Sequence, residues 1–72
     1  MDIKLELGFR IKSLREEKGL SQRELSISAD LDRSYIASVE SGKRNVSIVN
    51  VAKIAAALHV SLSELFNAEP FK

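Results

Sequence analysis

A chain of 72 residues is expected to form one domain over 1–72. At this length only about 60% of the unfolded surface is buried, which excludes a deep enclosed active site and puts function on the outer face. With 44% hydrophobic residues, 6% aromatic residues and no tryptophan, the composition suits a compact helical core better than a disordered tail, and the net charge of +1 leaves the distribution of charge to decide whether a nucleic acid is a partner.

The first helix is written by Ile3, Leu7, Ile11 and Leu14, whose spacing makes the apolar stripe of an amphipathic helix. It is expected over 3–18, closing near Gly19. Leu5 and Phe9 fall off that stripe, to be covered either by the C-terminal residues or by a second subunit. One local arrangement then repeats: an apolar residue, a Ser or Asp, and a second apolar residue four positions after that cap. The sets are Leu20-Ser21-Leu25, Leu31-Asp32-Ile36, Val46-Ser47-Val51 and Val60-Ser61-Leu65. In each, the cap oxygen can accept a hydrogen bond from an otherwise orphaned N–H while the flanking apolar groups close over the first turn. These sets predict helices at 22–29, 33–41, 48–58 and 62–67. Ser21 with Glu24, and Ser61 with Glu64, also have the spacing of a capping box. Val51, Ile54, Ala55 and Leu58 form the stripe of the fourth helix. Pro70 lies past the last helix, where it can only end one, and the final residues are expected to fray. No strand pattern competes, so the fold class is all-α with five helices.

Only Ala29 to Asp32 separate the second and third helices, and so tight a connection holds them at a steep angle as a helix-turn-helix. Asp30 falls mid-turn, where a left-handed backbone is often needed and aspartate is tolerated. The runs Gly19-Leu20-Ser21-Gln22-Arg23-Glu24-Leu25 and Tyr35-Ile36-Ala37-Ser38-Val39-Glu40-Ser41-Gly42 resemble the phage repressor and Cro (XRE-like) helix-turn-helix family. The stretch from Val51 to Phe66 is similar to that family's last two helices, so the resemblance covers nearly the whole chain. Within the family, Asp32-Arg33-Ser34-Tyr35 and Lys43-Arg44-Asn45-Val46 are most similar to controller proteins of restriction-modification systems. The resemblance implies a compact, five-helix lambda-repressor-like DNA-binding domain with its helix-turn-helix at the second and third helices. Three residues depart from the family pattern: Ser26 replaces a small apolar residue, Asp30 the turn glycine, and His59 the glycine that commonly follows the fourth helix. They bear on local stability, not on the fold.

In the third helix Ile36 and Val39 must face the core, which leaves Arg33, Ser34, Ala37 and Ser38 on the opposite side. An α-helix enters the major groove only if its exposed side chains are short enough to let the backbone approach, and this side meets that requirement. Arg33 follows the Asp32 cap and is the expected base reader, since arginine can donate two hydrogen bonds to guanine O6 and N7. Ser34 and Tyr35 follow; Tyr35 either touches DNA or packs its ring against the second helix. Gln22 opens the second helix, whose N-terminus suits a phosphate oxygen, and the family places a DNA contact there. Lys43, Arg44 and Asn45 leave the third helix and are expected to hold the DNA backbone, although adjacent cations on a loop are more often merely solvated. The resemblance further implies a structural ion pair between Arg15 and Glu40.

No cysteine is present, which excludes disulfides, thiolate nucleophiles and cysteine-based zinc sites and makes a reducing cytoplasm the expected location. No signal-peptide core and no apolar run near the roughly 20 residues of a membrane span occurs, so secretion and membrane insertion are not expected. With one histidine, His59 at a helix end, and scattered carboxylates, the chain is not expected to be an enzyme or to hold a metal, cofactor or small-molecule ligand. The expected function is sequence-specific binding of a double-stranded DNA operator in transcriptional regulation, with RNA polymerase a candidate partner. The alternative is an antitoxin or other protein-interaction module on the same fold, which an apolar third helix would favour and a polar one disfavours. One short helix reads few base pairs, so a homodimer on half-sites about 34 Å apart is expected. Val46, Val49, Leu62 and Phe66 are its candidate contacts, unless they complete the monomer's own core.

Overall fold

The structure, a computed structural model, describes residues 1–72 as helices α1 (Ile3–Glu17), α2 (Gln22–Ala29), α3 (Arg33–Glu40), α4 (Ile48–Ala57) and α5 (Leu62–Leu65). The caps explain where they begin. Ser21, Ser47 and Ser61 each accept a hydrogen bond from the backbone N–H three residues on, at Glu24, Asn50 and Glu64. At α2 the box is complete, since Glu24 Oε1 takes the Ser21 N–H at 2.8 Å. Two expectations need correction. Asp32 has the extended backbone of a cap, but its carboxylate accepts no cap hydrogen bond, and the Ser61 box closes on one side only. Asp2, which the stripe of α1 did not point to, caps that helix by accepting from the Leu5 N–H at 3.3 Å.

Four helices end alike, on a residue with left-handed backbone: Gly19, Asp30, Gly42 and His59. In each case the next N–H reaches back to a carbonyl of the last turn, as Lys43 does to Ser38 at 3.0 Å, satisfying groups the helix would otherwise orphan. Asp30 at φ 57° and His59 at φ 60° do this with a side chain present, a conformation that costs non-glycine residues on the order of 1 kcal/mol.

Ile11, Leu25, Ile36, Val39, Ile54, Leu58 and Leu65 are fully buried, one or more from each helix, so every element contributes to one core. α3 packs against both α1 and α2, α2 against α4, and α4 against α5. Leu7, Ile11 and Leu14 of the α1 stripe are buried, whereas Ile3 is 57% exposed. Ser26, the polar replacement in α2, is buried with its hydroxyl donating to the Arg23 carbonyl at 2.7 Å, so no polar atom is left unpartnered there.

Two features absent from the apolar pattern fix α1. Gly8 lies where a Cβ would come 2.5 Å from the Val39 carbonyl oxygen and 2.7 Å from that of Glu40, so the backbones of α1 and α3 touch. Arg10 donates from Nε to the Leu65 carbonyl at 2.8 Å and from Nη2 to the Glu64 carbonyl at 2.9 Å, tying α1 to the C-terminal end of α5 with a cation placed where the helix dipole favours one. The last residues fold back instead of fraying: Phe71 sits edge-on to Phe66 with ring centroids 5.1 Å apart. Phe9 stays 62% exposed beside Ala68 and Glu69, and Leu5 lies over Gly42.

Candidate nucleic-acid interface

The exposed side of α3 is built from its N-terminus. Asp32 enters in extended conformation, and Arg33 and Ser34, the first two helical residues, are both exposed. Ile36 and Val39 point into the core, which leaves the half-buried Ala37 and Ser38 behind the leading arginine. Along this side only Arg33 is long. A backbone so thinly covered can approach a groove wall closely.

Tyr35 is half-buried against the core, and its hydroxyl accepts a hydrogen bond from Asn50 Nδ2, in the first turn of α4, at 3.0 Å. The Arg44 guanidinium lies over the ring, 5.1 Å from its centroid. Arg44 Nε also donates to Ser38 Oγ at 3.0 Å, while that hydroxyl donates to the Tyr35 carbonyl at 2.7 Å. Tyr35, Ser38 and Arg44 thus form one cluster. Lys43 and Asn45 are exposed on either side of Arg44 and stand apart from these hydrogen bonds. The left-handed Gly42, at φ 78°, turns the chain out of α3 so that all three loop residues follow the helix end.

Gln22 is half-buried, and its Nε2 donates to Glu40 Oε1 at 3.1 Å. Glu40 is meanwhile held by Arg15, Nε to Oε2 at 2.7 Å and Nη2 to Oε1 at 3.0 Å, and Arg15 Nη1 reaches the Leu20 carbonyl at 2.8 Å. Arg15 and Glu40 are therefore brought together, with side chains 10% and 3% exposed. The hydrogen bond to Glu40 raises the Arg15 pKa further, more than desolvation lowers it, so the guanidinium stays charged. This network joins α1, the start of α2 and the end of α3, and fixes how the two helices of the motif sit.

Of the candidate subunit contacts, Val49 is 63% exposed and Leu62 40% exposed, while Val46 and Phe66 are half-buried against the core. Val46 and Phe66 share an apolar groove with Ile3, Leu7, Ile48 and Val51; Val49 and Leu62 do not line it. Asn50 and Arg10 escaped the sequence reading. Both act on residues far away in the chain, and neither lies in a local pattern that announces a partner.

No group of three or more histidine, cysteine or carboxylate side chains is placed to hold a metal ion, and no helix is long and apolar enough to cross a membrane. The profile of the helix-turn-helix family matches residues 11–65, from the middle of α1 to the end of α5. The chain belongs to the helix-turn-helix family. Among its helix-turn-helix relatives, control protein C.MunI of Mycoplasma sp is 54% identical over 67 residues, covering 92% of this chain and 90% of that protein. The crystal structure of the restriction-modification controller protein C.AhdI from Aeromonas hydrophila superposes with a TM-score of 0.88 at 47% identity, over 92% of this chain and all of that one. Controller protein C.Esp1396I, solved as a tetramer with its natural 35 base-pair operator, matches with a TM-score of 0.83 at 37% identity, over 86% of this chain and 82% of that one. The expected family, its five-helix fold and its controller-type relatives are thus all found, and these relatives are regulators, not enzymes.

Proposed function

We propose that this chain binds a specific double-stranded DNA operator as the transcriptional controller of a restriction-modification system. The observation that carries the reading is the exposed face of α3: a free guanidinium at the leading end, a small side chain at each following outward position, and Lys43, Arg44 and Asn45 beside the trailing end. Arg33 reads a base edge, with Ser34, Tyr35, Ala37 and Ser38 lining the approach. Lys43, Arg44, Asn45 and the α2 end at Gln22 hold phosphates, which makes a chain of net charge +1 sufficient because Arg33, Lys43 and Arg44 are placed where the backbone passes. The operator-bound C.Esp1396I relative supports this reading.

The chain acts as a homodimer. Its longest dimension is 29 Å, shorter than the about 34 Å between successive half-sites on one face of the duplex, and it carries one reading helix. Exposed Val49 and Leu62, with the groove of Val46 and Phe66 nearby in sequence, are the surfaces offered for pairing. Regulation of this kind takes place in the cytoplasm beside RNA polymerase at a promoter.

Selection of bound duplexes from a random DNA pool, followed by gel-shift titration of the recovered sequence, tests the reading. A two-fold symmetric motif bound with steep salt dependence supports it. Failure to bind any duplex at low ionic strength overturns it in favour of a protein partner. A monomeric Val49→Glu variant with unchanged melting temperature would support Val49 in the dimer contact; a dimeric one would remove it.

A further inference from the structure

We infer that Asn50, which lies outside the helix-turn-helix, is a positioning residue for DNA recognition that acts through Tyr35. The inference rests on the DNA-binding reading above. The Asn50 side-chain nitrogen can only donate, so at 3.0 Å the phenolic oxygen is the acceptor and its own proton is directed elsewhere. Within the chain's hydrogen bonds Tyr35 Oη only accepts, which leaves the hydroxyl as a donor for an outside acceptor: a base-edge oxygen or nitrogen, or a phosphate oxygen.

The ring is fixed before DNA arrives. Its inner side packs against the core, the Arg44 guanidinium lies across it, and Asn50 holds its tip. Arg44 is itself tethered to Ser38, one helical turn after Tyr35. Such support removes the ordering cost that a half-exposed aromatic side chain otherwise pays on binding. Asn50 is well anchored for this task, since its backbone N–H is capped by Ser47 at 3.1 Å in a helix that packs on α2. It thereby makes α4 part of the reading apparatus without touching DNA.

The test uses the duplex recovered by selection, with Asn50→Ala, Asn50→Asp, Tyr35→Phe and the double variant Asn50→Ala/Tyr35→Phe. Asn50→Ala is expected to weaken binding on the order of three- to tenfold, the worth of one hydrogen bond, and to have almost no effect in the Tyr35→Phe background. Asn50→Asp turns the local donor into an acceptor, captures the hydroxyl proton and should lose as much as Tyr35→Phe. Tyr35 is the sole tyrosine and the chain has no tryptophan, so its emission reports on this ring alone. In DNA-free protein Asn50→Ala should raise quenching of that emission by acrylamide while the melting temperature holds. Equal losses from Asn50→Ala with and without the Tyr35 hydroxyl, or unchanged quenching, would overturn the inference. Wild-type protein that binds no duplex would instead overturn the DNA reading itself, and the quenching result would still decide whether Asn50 orders the ring.

Discussion

Arg15 grips Glu40 through two parallel hydrogen bonds, at 2.7 and 3.0 Å, and Glu40 in turn receives Gln22 at the head of α2. A single carboxylate thus joins the three helices that set the angle of the motif. Removing one member of so sheltered a pair strands the other, at a cost of about 3–5 kcal/mol. Arg15→Ala should lower the melting temperature by more than about 10 °C for a domain of this size. An unchanged value would show that the pair carries no stability.

Gly8 makes a second prediction. Alanine is ordinarily the better helix former by up to about 1 kcal/mol, but its Cβ would meet the Val39 carbonyl oxygen at 2.5 Å. Backbone at a helix end cannot swing aside as a flexible side chain does, and overpacking costs about 1–3 kcal/mol. Gly8→Ala is therefore expected to destabilise, read as a lower urea midpoint; a stabilised variant would mean that α1 can lift off α3 freely.

The α2 capping box gives a dependence on pH. The Ser21 backbone N–H, assisted by its hydroxyl, holds the exposed Glu24 carboxyl below its ordinary pKa of 4.5. A carboxylate with a lowered folded pKa contributes stability above its unfolded value, and that contribution is lost as pH falls through the folded one. Wild type should be more stable than Glu24→Gln at neutral pH, and the gap should close in acid, below 4.5. Chemical denaturation of both proteins along a pH series checks it; a gap that stays constant would sink the assignment to this carboxylate.

Base reading and backbone holding separate by salt. Arg33→Ala should cost about 1–3 kcal/mol of discrimination at one position of the half-site. Lys43→Ala should weaken all sequences alike and reduce the slope of log affinity against log salt by about 1 per subunit. Identical behaviour of the two variants would mean that α3 does not enter the groove as described.

The helices were legible because their starts are local: a serine oxygen and an N–H three residues on need no tertiary structure to find each other. The outward side of α3 was legible for a similar reason, since Ile36 and Val39 claim the core and fix what remains. Asn50 on Tyr35, Arg10 on the α5 carbonyls and Gly8 under α3 were not, because each depends on where two distant segments meet. Asp32 shows the opposite limit. Its position in the pattern is that of a cap, yet its side chain makes no cap bond, so spacing foretold the helix start without the interaction that usually accompanies it.

With no side chain at Gly8 to act as a spacer, α3 is seated directly on α1, backbone against backbone. If α3 is the helix that enters the groove, such a seat ties its angle to α1, and a change in preferred sequence would come from exchanging the outward side chains one at a time. Two units held as a pair on such seats would then behave like a fixed-gauge caliper, accepting or rejecting a site by the length of DNA between its halves.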